Sequence, residues 1–322
     1  MDNTKQYRVL EIFFRALRGE DIVVKTLADE YGVSTKSISR SINDLKAFLA
    51  DHRELVGHVE LVYSHKEKCY RLAMEEFLTN KELFAIVEVL IGARAFSRID
   101  LLTLTGKLSR FTTAHDRTRL SALIKKELYH YPEVKHDCDS LTDTLWQLVG
   151  CIDEKREITV EYYRMDRKWV THRMRPASLM FTDYYFYLIA FLTEDEKERP
   201  CYFRVDRIKN ITVHRTPKSD TLPPDFDEGL LRRRSLFMWP GKLRTIRFLF
   251  TGPSVQAALD KLPTAKIIDR PAPGAFLLEA EVYGDGIKMW LLSQGAWVKV
   301  LSPADLVAEM KEEIEKMRAL YD

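Results

Sequence analysis

Arginine and tyrosine recur at alternate positions in three short runs of the sequence, in a pattern that suits the binding of an anion. Side chains in a β-strand alternate between two faces, so every second residue shares a face. Guanidinium groups bind phosphate in a bidentate manner, and tyrosine rings stack on nucleobases. The residues that alternation collects are Arg173 and Arg175 in the first run, Asp183, Tyr185 and Tyr187 in the second, and Tyr202, Arg204 and Asp206 in the third. If the three strands are neighbours in a small barrel, these faces merge into one patch.

The same residues also allow a purely structural interpretation. Arg204 and Arg207 would then pair with Asp206 and Glu161, and tyrosines commonly occupy half-buried strands. The pattern alone leaves both interpretations open.

A second group of polar residues lies on one face of a helix near the N-terminus. Ile38, Ile42, Leu45 and Leu49 follow helical spacing and predict the buried stripe. On the opposite face, arginine suits guanine, asparagine suits adenine, and serine, threonine and lysine suit phosphate. The residues predicted to contact DNA are Ser34, Thr35, Lys36, Ser37, Ser39, Arg40, Asn43 and Lys46. The alternative is a solvated face in a domain that binds protein.

No arrangement of residues in the sequence matches a catalytic or metal-binding motif. GxxxxGK[ST], GxGxxG, GxSxG and HExxH are all absent, and the eight histidines are dispersed. The cysteines show no CxxC spacing, which favours structural thiols in a reducing compartment; they are Cys69, Cys138, Cys151 and Cys201. We expect neither an enzyme nor a cofactor.

Length and composition indicate a globular chain of several domains. The chain has 322 residues, 46% of them hydrophobic and 30% charged, which excludes collagen-like and mainly disordered classes. The net charge of +2 neither demands nor excludes nucleic acid. No apolar run is long enough to cross a membrane, and the first residues lack the pattern of a secretory leader. We expect a cytoplasmic protein.

The first 73 residues predict a winged helix-turn-helix. Helices over 6–18 and 24–31 precede the Gly32 turn, and a third helix begins near Ser34 and runs to Leu49. In the first helix, Tyr7, Leu10, Phe13, Phe14 and Leu17 are expected on one face. The β-rich runs 59–63 and 69–72 predict a hairpin, the wing.

The rest of the chain predicts an α+β multidomain protein. Residues 74–139 form a helical spacer with a capping box at Thr79 and Glu82, and residues 140–216 a leading helix and a small Sm-like five-stranded β-barrel. Residues 217–243 are predicted as a linker, and residues 244–322 as a ferredoxin-like βαββαβ domain with a closing helix.

Three of these features together carry a resemblance to a known family. The triplet Phe186-Tyr187-Leu188 lies between RMRP (173–176) and FRVDRI (203–208). This resembles the WYL-domain transcriptional regulators, with phenylalanine in place of the tryptophan. The tail segment 290–303 (WLLSQGAWVKVLSP) and Tyr321 resemble the C-terminal extension domain of that family. With the helix-turn-helix in front, the resemblance covers nearly the whole chain.

The resemblance implies a regulator that senses a ligand through its WYL domain. The positions that correspond to its ligand pocket are Arg173, Asp183, Tyr185, Tyr187, Tyr202 and Arg204. Relatives often carry serine at the position of Asp183 and histidine at the position of Tyr185. The Asp183 carboxylate would repel a phosphate. A nucleotide or single-stranded nucleic acid is the implied effector, operator DNA and a second copy of the chain are the implied partners, and no membrane is implied.

Two functions remain open on this resemblance. One is a ligand-responsive, sequence-specific regulator; its relatives include repressors of phage-defence operons and activators that respond to DNA damage, and repression is slightly favoured. The other is a nucleic-acid-binding accessory protein that modulates another machine, such as a defence system.

Overall fold

The chain forms two compact units, residues Met1–Lys135 and His136–Asp322. This computed structural model describes residues 5–56, 58–74, 80–109, 114–214, 222–224 and 226–322. Thr79, of the predicted capping box, lies outside these ranges. Among the helices described, none combines the length and apolar character that a bilayer crossing requires.

The first unit begins with three helices and a hairpin and continues with helices. The strands β1 and β2 pair antiparallel from Val59–Met74 to Ser64–Cys69. The elements are α1 (Lys5–Leu17), α2 (Val24–Tyr31), α3 (Thr35–Asp51), α4 (Arg53–Val56), β1 (Val59–Ser64), β2 (Cys69–Met74), α5 (Asn80–Ala93), α6 (Arg98–Leu108) and α7 (Ala114–Tyr129).

The turn between α2 and α3 follows from local sequence. Gly32 has φ of 63° and donates its N–H to carbonyls at the end of α2, as a left-handed C-cap does. The Ser34 hydroxyl then accepts the N–H of Ser37 at 3.2 Å and caps α3. Ile38, Ile42, Leu45 and Leu49 are buried as their spacing predicts, and Ser41 is buried beside them.

Helix α1 buries a different face from the one that its sequence predicts. Ile12 and Ala16 are buried, and Tyr7, Leu10 and Phe14 are 65%, 56% and 54% exposed. Of the predicted face only Phe13 and Leu17 are half-buried, and Phe13 packs against the core. The helix carries two apolar stripes, and only contact with the rest of the unit decides which one enters the core.

The second unit contains a five-stranded and a four-stranded sheet, and neighbouring strands in both sheets pair antiparallel. The strand orders are β6-β5-β4-β3-β7 and β11-β8-β10-β9. The elements are α8 (Leu141–Asp153), β3 (Ile158–Tyr163), β4 (Trp169–Thr182), β5 (Tyr185–Leu192), β6 (Pro200–Arg204), β7 (Ile208–Val213), α9 (Glu228–Arg234), β8 (Leu243–Phe250), α10 (Val255–Lys261), β9 (Lys266–Ala272), β10 (Ala275–Tyr283), α11 (Gly286–Ser293), β11 (Val298–Ser302) and α12 (Ala304–Arg318).

The five-stranded sheet is strongly curled but is not the closed barrel that the sequence predicts. Its outer strands β6 and β7 are joined only by the 3-10 turn Val205–Arg207, whose reach is at most about 14 Å. A flat sheet would separate these strands by about 19 Å, so the sheet must bend. Within the described residues no ladder joins β6 to β7. Instead, the Arg204 N–H donates to the Tyr162 hydroxyl of β3 at 3.2 Å, and a side chain takes the place of a backbone partner.

The four-stranded sheet packs against α10, α11 and α12 around its own core. Phe248, Leu278, Trp290 and Leu306 are among the buried members of this cluster. Helix α9 lies inside the segment 217–243, for which the sequence predicts a linker, and Leu231 and Met238 of that segment pack against the five-stranded sheet.

Candidate functional site

Arg204 stands at the centre of a buried polar cluster at one end of the five-stranded sheet. Its guanidinium donates to both carboxylate oxygens of Asp206, at 3.0 and 2.6 Å. The two side chains are 15% and 2% exposed. The guanidinium also lies 3.4 Å from the ring centroid of Tyr185, a cation–π distance. The cluster is a planar cation held between an aromatic ring and a carboxylate.

His136 completes the cluster from outside the sheet. Its Nδ1 lies 3.4 Å from Oδ2 of Asp206, and its ring meets that of Tyr185 edge to face at 6.4 Å. Its Nε2 is buried and has no hydrogen-bond partner among the residues that the structure describes. No pattern in the sequence links this histidine to an aspartate 70 residues away, so sequence reasoning missed it.

The electrostatics of the cluster favour the charged forms of both partners. Burial alone would raise the pKa of Asp206, but hydrogen bonds from His136 and Arg204 hold it below its usual range. Burial works against the charge of Arg204, yet the Asp206 carboxylate keeps the pKa of the guanidinium above its usual value. Burial raises the pKa of the neighbouring Tyr187, so its hydroxyl stays protonated.

Tyr187 and Tyr202 share a face with Arg204, but their rings pack against apolar side chains. Tyr187 pairs with Arg204 across β5 and β6, and both tyrosines pack against a cluster formed by Met180, Ile189, Leu231 and Met238, here called the joint cluster. The Tyr202 hydroxyl lies 2.7 Å from the Ser235 hydroxyl, and burial raises the pKa of this tyrosine. These rings therefore connect the polar cluster to the segment that leads to the second sheet.

Arg173, which the sequence places with Arg204, has a different environment. It donates to the buried carboxylate of Glu157 at 2.6 and 3.1 Å. The Arg173 carbonyl accepts the N–H of Thr193, which directly follows β5. Thr193 is six residues beyond Tyr187, so about 20 Å of extended chain separates the two. The structure does not bring Arg173 to the Arg204 cluster.

Asp183 lies in the turn between β4 and β5, not on a strand. Both Asp183 and Tyr184 have positive φ, 45° and 78°, as in a two-residue hairpin turn. Strand alternation therefore stops at Tyr185, and the exposed Asp183 carboxylate accepts a hydrogen bond from the Thr182 hydroxyl at 3.3 Å.

The structure supports part of the structural interpretation of the arginines. Arg204 does pair with Asp206, whereas Glu161 accepts a 2.6 Å hydrogen bond from Asn210. The guanidinium also stacks on the Tyr185 ring. An anion that reached Arg204 would have to compete with Asp206.

The outward face of α3 forms the candidate nucleic-acid interface. Thr35, Lys36, Arg40 and Asn43 are exposed, and so are Ser34 and Lys46. Ser37 and Ser39 are half-buried, and Ser37 receives a hydrogen bond from Arg8 at 3.4 Å. Among the described residues, no carboxylate forms an ion pair with the three cations of this face. They are free to meet phosphate.

Asp21, Glu67 and Cys69 come together beside the hairpin of the first unit. Arg71 already pairs with both carboxylates, at 2.6 and 2.5 Å. Its guanidinium also lowers the pKa of Asp21. The group is therefore an ion-pair network in which Arg71 compensates the charge of both carboxylates.

Two family profiles match the second unit of the chain. Residues 143–213 match the WYL domain and residues 242–318 match the WCX domain. No curated protein matches the sequence.

Solved structures that match include two with low similarity. Proteasome accessory factor B/C (PafBC) of Arthrobacter aurescens is 17% identical with a TM-score of 0.31 over 99% of this chain and 49% of its own. This chain therefore spans about half the length of that protein. A CRISPR Cas-related protein is 17% identical with a TM-score of 0.40, over 90% of this chain and 87% of its own.

Proposed function

We propose that this chain, which carries a WYL domain followed by a WCX domain, is a cytoplasmic DNA-binding transcriptional regulator that responds to an anionic or nucleic-acid-derived ligand. We favour repression as the outcome of DNA binding. The observation that carries the proposal is the outward face of α3, with exposed cations that have no carboxylate partner among the described residues.

We assign the elements that present this face to a winged helix-turn-helix. In this proposal α2, the Gly32 turn and α3 form the helix-turn-helix, α3 is its recognition helix, and the β1–β2 hairpin is the wing. We likewise assign the curled sheet to the WYL domain and the four-stranded sheet, in a ferredoxin-like arrangement, to the WCX domain.

Arg40→Ala tests base readout by α3. An arginine that binds guanine is worth about 1–3 kcal/mol at one base position, so the variant should lose its preference there while retaining its preferences elsewhere. The measurement is selection from a randomised DNA library with the full chain, followed by titration of the selected duplex.

Lys311→Ala is the matched control, because Lys311 is an exposed cation on α12 in the second unit. It should leave the selected sequence unchanged. An unchanged preference in Arg40→Ala would refute the readout. Equal affinity of the wild-type chain for selected and unrelated duplexes would favour the accessory function instead of a regulator.

We further propose that two copies bind an inverted repeat. A single recognition helix reads only a few base pairs, and specific affinity generally needs two half-sites about one helical turn apart. Analytical ultracentrifugation should show a dimer at micromolar concentration, and footprinting should show two protected half-sites. A monomer with a single protected half-site would contradict this.

In this proposal the Arg204 cluster senses the ligand. A planar cation on an aromatic ring suits an anion, and Asp206 and His136 hold it in place. The ligand would act by stabilising one arrangement of the DNA-binding units over another.

A further inference from the structure

A cavity of about 410 Å³ opens at the other end of the sheet face that carries Arg204. Phe191 of β5 and Pro200 of β6 line it from the sheet, Leu231 of α9 from the connecting segment, and Tyr283 of β10 from the second sheet. The walls therefore come from both sheets of the second unit. Cavities of this size that join two sheets are common ligand sites.

Two rows of side chains connect this cavity with the Arg204 cluster. On β5, Tyr185 belongs to the cluster, Tyr187 and Ile189 to the joint cluster, and Phe191 to the cavity. On β6, Arg204, Tyr202 and Pro200 repeat this order. Residues at every second position share a face, so both rows are continuous; the row on β5 extends over about 20 Å and the row on β6 over about 13 Å.

The interior of the cavity is aromatic. The rings of Phe191 and Phe226 meet edge to face at 5.2 Å, and Tyr283 is half-buried beside them. Burial raises the pKa of Tyr283, so its hydroxyl stays a neutral hydrogen-bonding group. Aromatic rings pack favourably on other rings in edge-to-face geometry, so a flat aromatic ligand suits these walls.

Two of the four charged residues at the rim, Glu198 and Arg234, form ion pairs, and a third, Asp227, caps α9. The Glu198 carboxylate accepts from Arg175 at 2.6 Å, Arg234 donates to Glu281 at 2.6 and 3.1 Å, and Asp227 accepts the N–H of Leu230 at 2.8 Å. Lys197 is the rim cation that has no carboxylate partner among the described residues. The rim therefore offers the positive charge of Lys197 to a ligand, with the Asp227 carboxylate as the negative charge at the same rim.

We propose that this cavity is a second effector site, which binds a small aromatic carboxylate with its ring against Phe191 and Phe226 and its charge at Lys197. The ligand would lie against the joint cluster, which connects the WYL sheet to the segment leading to the WCX sheet. It would therefore stiffen this connection without touching Arg204.

The test titrates the full chain with 2-naphthoate and follows saturation transfer from protein to ligand by NMR. We expect a Kd on the order of 1 mM, the value that ordinary binding efficiency gives for a ligand of about a dozen heavy atoms. The neutral 2-naphthamide should bind at least about threefold more weakly, since it loses the ion pair with Lys197. The cationic 2-naphthylmethylamine should bind more weakly still.

Three variants locate the site. Lys197→Gln should weaken 2-naphthoate about threefold to fivefold, whereas Lys311→Gln, a change at an exposed lysine of α12, should not. Leu230→Trp fills the cavity from a side chain that is already 39% exposed, so the fold should tolerate it while binding is lost. Arg204→Lys, which keeps a cation beside Asp206, should leave the Kd within about twofold, because the two sites share no residue.

Absence of saturation transfer at millimolar 2-naphthoate would overturn the proposal, and so would equal binding of the acid, the amide and the amine. Unchanged binding in both Lys197→Gln and Leu230→Trp would place the ligand elsewhere and overturn it as well. None of these readouts involves DNA, so their failure is distinguishable from failure of the proposed regulatory function.

Discussion

The two candidate sites hold their cations in opposite ways. On α3, Lys36 and Arg40 are exposed and have no carboxylate partner among the described residues. In the curled sheet, Arg204 is 15% exposed and is held by Asp206 and Tyr185. The first arrangement leaves charge available to a polyanion, and the second restrains one charge in a fixed geometry.

This difference predicts how amino-acid substitutions at each site affect folding stability and ligand binding. An exposed, unpaired cation contributes to binding but little to folding, because water solvates it equally well before and after folding. A buried, paired cation contributes to both, because removing either partner leaves an uncompensated charge in the interior. Substitutions in the two regions should therefore separate stability from DNA affinity.

The largest effect should come from breaking the buried pair. Asp206→Ala leaves the Arg204 guanidinium without its carboxylate and should destabilise the second unit by about 3–5 kcal/mol. Urea unfolding of the full chain measures this, as a shift in the transition of that unit. Asp139→Ala, which removes a 90% exposed carboxylate from Lys209, is the control and should cost about 1 kcal/mol or less. Equal costs would remove the distinction between the two regions.

The same pair should make stability depend on pH in the acid range. The pKa of Asp206 is lowered in the folded chain, so its contribution is fully present above the unfolded value of about 3.9 and is lost as pH falls through the folded pKa. Wild type should therefore lose more stability than Asp206→Asn between neutral pH and pH values below about 4. Parallel curves for the two proteins would contradict the lowered pKa.

Arg204→Ala tests sensing. Coupling between two sites is typically about 1–3 kcal/mol, or roughly 5-fold to 150-fold in operator affinity. With a short single-stranded DNA as the effector, the variant should lose this shift while its affinity for operator without effector stays within about twofold. Arg199→Ala, at an arginine that is 60% exposed, should keep the shift. A variant that loses basal DNA binding as much as the response would show that Arg204 is structural.

A smaller effect is expected at the start of α3, where polar contacts are local. Ser34→Ala removes the hydroxyl that caps the helix and should destabilise the first unit by about 1 kcal/mol. Ser39→Ala, at a half-buried serine further along α3 that does not cap the helix, should change stability by no more than about 0.5 kcal/mol. Thermal unfolding of both variants tests the cap, and equal midpoints would count against it.

Lys36→Ala should change stability least and affect only the electrostatic part of DNA binding. Removing one phosphate contact should reduce the slope of log affinity against log salt by about 1, with a stability change within about 0.5 kcal/mol. Fluorescence anisotropy across a salt series measures the slope, with Lys311→Ala as control. An unchanged slope would show that Lys36 does not meet phosphate.

Features that depend on local spacing could be predicted from the sequence. The buried stripe of α3 follows from helical period, and the turn before it from Gly32, whose backbone requires a left-handed conformation. Alternation along β5 correctly places Tyr185 and Tyr187 on one face. It fails at Asp183, where the hairpin turn interrupts the strand.

What the sequence by itself determined is most of the elements, though not α9, and the chemistry each carries, because helical and strand periods act over a few residues. Only the tertiary structure decided which apolar stripe of α1 is buried, that the sheet curls without closing, and that Arg173 meets Glu157. It also brought His136 to Asp206. These outcomes depend on contacts between residues that are distant in sequence. Such contacts are selected by the packing of whole elements, and no local period encodes that packing.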